Sequence, residues 1–165
     1  TDGSVFLGNG NEELKAFNIK DGFGLRAIQQ FGIEVALITG RQSHLVERRA
    51  AELQIRHVFQ GNSNKRGAYA DLLSQLKLSP EQTAHMGDDL PDLPLFLQVG
   101  LAAAPADAHS VMREHAHYIS RANGGAGAVR EVCDLLLQAQ GHWHPDPDSD
   151  ARRLAGRVLP MKNQP

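Results

Sequence analysis

Apolar positions fall in short runs separated by longer segments in which they recur every three or four residues, and this alternation predicts parallel strands joined by crossover helices. Residues 4–7 and 13–17 flank Gly8-Asn9-Gly10-Asn11, whose members tolerate positive φ, so a β-hairpin is expected to open the visible chain. Asp21 is placed to cap a helix running to Phe31, with Leu25, Ile28 and Phe31 at helical spacing and Gly32 as its stop. Residues 33–38 then read as a buried strand, 43–53 as a helix and 57–59 as a short strand. A helix over 64–76 turns Tyr69, Leu72, Leu73 and Leu76 to one face. After a turn at Ser79-Pro80 come a strand at 83–86, a brief helix at 92–99, strands at 100–104 and 117–120, and a closing helix at 128–139. Its expected buried stripe is Val129, Val132, Leu135 and Leu136. The pattern predicts an α/β domain over residues 1–140 and a mobile tail over 141–165, rich in proline, with one helical turn near 152–154.

Composition narrows what such a domain does. The chain has 165 residues, 41 % of them apolar, and sixteen glycines bring that share to the ordinary globular half. Seventeen basic and nineteen acidic side chains leave a net charge of −2, too little to draw the chain to nucleic acid or a membrane surface. Small molecules are therefore the expected partners. Apolar runs such as 35–38 and 100–104 fall far short of the roughly 20 residues that cross a bilayer. The single cysteine, Cys133, lies in the apolar stretch 132–137 and reads as a buried structural thiol.

In an open parallel sheet ligands gather beyond the carboxyl ends of the strands, so the residues directly after each apolar run carry the candidate chemistry. Thr39-Gly40-Arg41 follow the run ending at Ile38, Gly61-Asn62-Ser63-Asn64-Lys65 follow Phe59, and Gly87-Asp88-Asp89-Leu90-Pro91-Asp92 follow Met86. A hydroxyl with exposed amides, a lysine at a helix start and clustered carboxylates together suit phosphoryl transfer, which needs oxyanion donors, a cation and oxygen ligands for a hard metal. Each has a plainer reading: a strand-to-helix turn for Thr39-Gly40, a solvated side chain for Lys65, and a helix cap for one aspartate. A cap accounts for only one of Asp88, Asp89 and Asp92, which favours a magnesium site there.

The order of these three strings resembles the second, third and fourth motifs of the haloacid dehalogenase superfamily of phosphatases. Residues 9–22 and 127–137 further resemble the capless branch that hydrolyses 3-deoxy-D-manno-octulosonate 8-phosphate. The likeness covers about residues 1–140. It implies a Rossmann-like, doubly wound parallel sheet with a protruding β-hairpin near the N-terminus. It also implies two-step, magnesium-dependent hydrolysis through an aspartyl-phosphate, a phosphorylated sugar-acid substrate, a cytoplasmic setting in a Gram-negative cell making lipopolysaccharide, and a homotetramer built around the hairpins. Carried onto this chain, Asp88 becomes a magnesium ligand, with Asp89 and Asp92 orienting the site. Thr39 is implied to hydrogen-bond the phosphoryl oxygens, Gly40 to offer its amide, Lys65 to offset phosphate charge, and Arg41 to touch substrate.

Two departures stand beside the likeness. The family's first motif, an aspartate pair before glycine at the end of the first strand, carries the nucleophile and general acid and is not found in these residues. Thr1-Asp2-Gly3 resembles the tripeptide that follows that motif, so an upstream segment is expected to supply it; the rival is a degenerate relative that binds without catalysing. Ala126 stands where the family has arginine, which weakens the case for a phosphate contact from the loop at 123–127. Alternatives to the eight-carbon substrate are a nine-carbon sugar-acid phosphate, a non-catalytic phosphatase-like tetramerisation module and, more remotely, a receiver domain. His142 and His144 alternate as ligands on a strand would, but with proline following and no third ligand nearby a solvated tail is the simpler reading. His115 and His117 read as surface residues.

Overall fold

The computed structural model describes residues 1–142 apart from Asn11 and Asn62. Expectations for those two residues, and for Trp143, His144 and the rest of 143–165 including the turn at 152–154, lie outside the described residues. The hairpin is present, with β1 (Phe6–Leu7) antiparallel to β2 (Glu13–Leu14) and Phe6 opposite Leu14. Its strands are shorter than the sequence suggests, and the Gly8 amide closes the turn onto the Glu12 carbonyl at 3.1 Å.

Helix α1 (Ile19–Gln30) starts earlier than expected, because Asn18 and not Asp21 is its cap: the Asn18 side-chain oxygen accepts from the amides of Lys20 and Asp21. Asp21 is buried inside the first turn and accepts the Arg130 amide at 2.9 Å, which ties α1 to the closing helix. Gly32, at φ +81°, follows α1 in the left-handed region where a side chain is strained. Strand β3 (Ala36–Ile38) is shorter than 33–38 because the Ile33 amide still bonds back to Ile28 as the chain leaves the helix. Next come α2 (His44–Glu52), β4 (His57–Phe59) and α3 (Lys65–Leu76), whose cap Asn64 accepts the Gly67 amide. Tyr69 and Leu72 of α3 are buried as the helical spacing predicts.

Strand β5 (Ala84–Met86) leads into a segment where one helix was expected over 92–99. Instead a 3-10 turn over Leu90–Asp92 is followed by a single turn, α4 (Leu93–Phe96), since Pro91 and Pro94 each remove an amide donor. Strand β6 (Leu101–Ala104) and β7 (Tyr118–Ile119) bracket α5 (Ser110–His115), a short helix that the sequence did not announce. The closing helix, α6 (Ala128–Ala139), has the expected bounds. Its buried side is Ala128, Val132, Cys133 and Leu137, so Val129, Leu135 and Leu136 are only half-buried and the stripe is rotated from the expected one. Burial pushes the Cys133 thiol up to about 12, in keeping with an inert structural role.

The parallel strands form two pieces, β3 with β4 and β5-β6-β7 in that order. Strand order runs outward from β3 in one direction and from β5 in the other, so the topological switch point falls between them. That space is a cavity of about 1000 Å³, with Ala36, Leu37 and Ile38 on one side and Ala84, His85 and Met86 on the other. Each sheet piece has its own apolar cluster. One gathers Ala27, Ile28, Val35, Ala50, Leu53, Ile55, Cys133 and Leu137; the other gathers Tyr69, Leu95, Phe96, Val99, Ala102, Ala104, Ala108 and Met112.

Candidate active site

The carboxyl ends of β3 and β5 bring Thr39 and Asp88 to one cavity, and the first turn of α3 adds Lys65. Thr39 follows β3 directly; its amide donates to the Phe59 carbonyl at 2.9 Å, and its hydroxyl oxygen accepts the Arg41 amide at 3.2 Å. Gly40 and Arg41 do not line the cavity. Arg41 points outward, 65 % exposed, with its guanidinium 3.8 Å from Glu13 of β2. Glu13 also accepts from Lys15 at 2.8 Å and from the Ser43 hydroxyl at 2.8 Å, and these two hydrogen bonds hold its carboxyl below the usual range. The turn end of the hairpin is thereby tied to the loop after β3.

The three aspartates have three different surroundings. Asp88 is exposed at the cavity, and its backbone carbonyl accepts the His109 amide at 2.9 Å. Asp89 is the cap: its side chain accepts the Leu90 amide at 2.8 Å, and its carbonyl accepts that of Asp92 at 2.8 Å. Asp92 is 4 % exposed and receives two donors on the same oxygen, Lys65 Nζ at 2.6 Å and His85 Nε2 at 3.0 Å. Burial pushes the Asp92 carboxyl up, but the hydrogen bonds from His85 and Lys65 outweigh it and hold the group below its ordinary 3.8. Lys65 at a helix N-terminus is thus explained by a buried partner rather than by solvent. Gly87 is fixed by the same packing, since a Cβ there would collide with the Asp92 side chain.

Sequence reasoning missed His85, which lies inside a strand rather than after one; alternation along β5 toward a polar partner is the only signal that it left. The loop over 123–127 is pinned elsewhere: Gly124 donates to Asp107, the Asn18 amide group donates to the Gly125 carbonyl, and Gly125, at φ +66°, packs against the backbone of Thr1 and Asp2. None of its residues lines the cavity. His115 and His117 are exposed as expected, and His117 Nδ1 accepts the Ala102 amide at the rim of β6. His142 is exposed, as the solvated reading expects, and its ring stacks on Phe31 with centroids 4.4 Å apart.

Among the described residues no three His, Cys, Asp or Glu side chains are gathered as a metal cluster. Magnesium does not need one, because it commonly takes one or two carboxylates and completes its shell with water and substrate phosphate. The exposed Asp88 carboxylate, at a cavity that Thr39 and Lys65 also line, fits that donor set.

A switch-point cavity with threonine, lysine and aspartate at three successive strand ends belongs to the haloacid dehalogenase-like hydrolases, and the profile of that family matches residues 55–132. The chain is 55 % identical over 141 residues to the 3-deoxy-D-manno-octulosonate 8-phosphate phosphatase of Escherichia coli (strain K12), an alignment covering 86 % of this chain and 75 % of that one. It therefore belongs to the 3-deoxy-D-manno-octulosonate 8-phosphate phosphatase family, a family of phosphoric monoester hydrolases. Two solved structures show the same fold. The Moraxella catarrhalis phosphatase, in complex with magnesium, phosphate and the sugar acid, superimposes with a TM-score of 0.83 at 42 % identity, covering 86 % of this chain and 81 % of that one. The cobalt-bound Haemophilus influenzae enzyme gives 0.83 at 39 %, covering 86 % and 83 %.

Proposed function

We propose that this protein hydrolyses 3-deoxy-D-manno-octulosonate 8-phosphate to the free sugar acid and inorganic phosphate, with magnesium as its metal, on the route to lipopolysaccharide. The observation that carries the reading is the convergence of Thr39, Lys65 and Asp88 on one cavity at the switch point. The substrate assignment is supported by the 55 % identity to an enzyme named for that substrate. Magnesium is favoured over cobalt by the carboxylate oxygens of Asp88, which suit a hard cation.

In this reading Asp88 would hold the metal, which would neutralise phosphate charge when bound. Thr39 donates to a phosphoryl oxygen and Lys65 offsets the charge that remains, whereas Gly40 and Arg41, outside the cavity lining, take no part in this reading. Asp92 serves by holding Lys65, and Asp89 by starting the turn that sets Asp88 in place. The attacking carboxylate comes from an extended segment seated between β3 and β5, parallel to both, its end beside Asp88. That placement is supported by the apolar walls of the cavity and by the single paired edge of each flanking strand among the described residues. Exposed Phe6, Leu7, Leu14 and Ile19 on and beside the hairpin support self-association into a homotetramer.

The test is phosphate release by the intact protein with magnesium and then with a chelator, beside an Asp88→Asn variant. Release is expected to stop on chelation, and D88N to lower kcat by about a hundredfold or more while the oligomer persists. A normal rate in D88N would remove the metal assignment. A higher kcat/KM on the nine-carbon homologue would replace the substrate.

A further inference from the structure

The buried carboxylate of Asp92 has one more partner than holding Lys65 requires. His85 Nε2 and Lys65 Nζ converge on the same Oδ1, at 3.0 and 2.6 Å. An ionised carboxylate only accepts, so Nε2 carries the hydrogen in this contact. The imidazole is itself well fixed. It projects from β5, whose residue His85 is in register with Ala102 of β6, and its ring meets Phe96 edge-on with centroids 5.8 Å apart at 83°.

Lysine reaches the cavity through four rotatable bonds, and its ammonium is placed only as well as its anchor. Asp92 is that anchor, yet a carboxylate turns easily about its last torsion, and its other oxygen lies toward the space kept open by Gly87. A second donor on Oδ1, aimed from a strand, removes that freedom. We propose that His85 is a positioning residue for Lys65, acting through Asp92, and that the series His85, Asp92, Lys65 determines how tightly the cavity binds a phosphate dianion. The proposal rests on the reading that Lys65 meets the phosphoryl group.

Its test uses the intact protein, inorganic phosphate as titrant in calorimetry, and steady-state hydrolysis of the sugar phosphate. His85→Phe keeps the ring against Phe96 and removes the donor, whereas His85→Gln retains an N–H near the Nε2 position. H85F is expected to weaken phosphate binding and raise KM by about tenfold each, with kcat within about threefold of the parent, and H85Q to recover most of both. Because the effect runs through the lysine, H85F added to Lys65→Met should cost no further affinity, a non-additivity that an independent structural role does not give. Unchanged binding in H85F, equal impairment in H85Q, or additive losses in the double variant would overturn the proposal. K65M separates it from the reading beneath it. If K65M binds phosphate as well as the parent, the lysine role itself fails; if K65M loses affinity and H85F does not, only the positioning role falls.

Discussion

Strands β3 and β6 are built from similarly apolar residues, Ala-Leu-Ile and Leu-Ala-Ala-Ala, yet they are buried differently. Ala102, Ala103 and Ala104 of β6 are each 0 % exposed, whereas every residue of β3 and of its partner β4 is half-buried. Hydrophobicity does not account for the contrast; neighbours do. Strand β6 is paired on both edges and covered by Leu95, Phe96 and Met112, while among the described residues β3 is paired only with β4 and its other edge faces the cavity. The candidate site lies on the seam, with Thr39 delivered by the piece that holds β3 and Asp88, Asp92 and His85 by the piece that holds the tightly packed β6.

Truncation is the strongest way to challenge this. Leu95→Ala, at a side chain with no exposure, should cost about 3 kcal/mol through lost transfer and an unfilled cavity. Val58→Ala in half-buried β4 should cost roughly 1 kcal/mol, since part of its surface already meets water or the cavity. Urea unfolding of both variants measures the gap. Equal losses would mean that the two halves share one core after all.

Much of this architecture was readable from residue order alone. Strand β4 and helix α6 have the bounds expected from the sequence, and α3 begins one residue past its cap Asn64, because periodicity, caps and stops agree there. Cap choice at α1 was not readable, since Asn18 and Asp21 both suit the role and only the distant Arg130 amide selects Asp21 for another use. The rotation of the α6 stripe has a similar origin: Gly24 of α1 permits a close approach beside Arg130 and Cys133, which turns Cys133 and Leu137 inward. For the candidate site, strand-end logic picked out Thr39, Lys65 and Asp88, which line one cavity. It did not separate three aspartates into an exposed ligand candidate, a cap and a buried anchor, because that sorting depends on His85 and on the turn forced by Pro91.

Hydrogen exchange sharpens the comparison with a smaller effect. Amides of β6, hydrogen-bonded among two neighbours, should exchange only on global opening, whereas those of β3 should exchange by local opening at least tenfold faster. An extended segment bound between β3 and β5 should slow β3 selectively, leaving β6 as it was. Protection that rises equally in both would argue that the cavity does not receive a strand.

The smallest effect concerns acid. Asp92 is held below 3.8 in the folded protein by His85 and Lys65 against the opposing push of burial, so the unfolded chain binds a proton there at a higher pH than the folded one. Its contribution to stability is therefore complete above 3.8 and is lost as pH falls through the lower folded value. Asp92→Asn removes the charge at every pH, so the variant should be less stable than the parent at neutral pH and the difference should shrink in acid. Melting temperatures from pH 7 downward give the slope for each protein. A gap that stays constant to pH 2 would show that the anchor acts by shape alone, and the tighter half of the seam would then owe nothing to its buried charge.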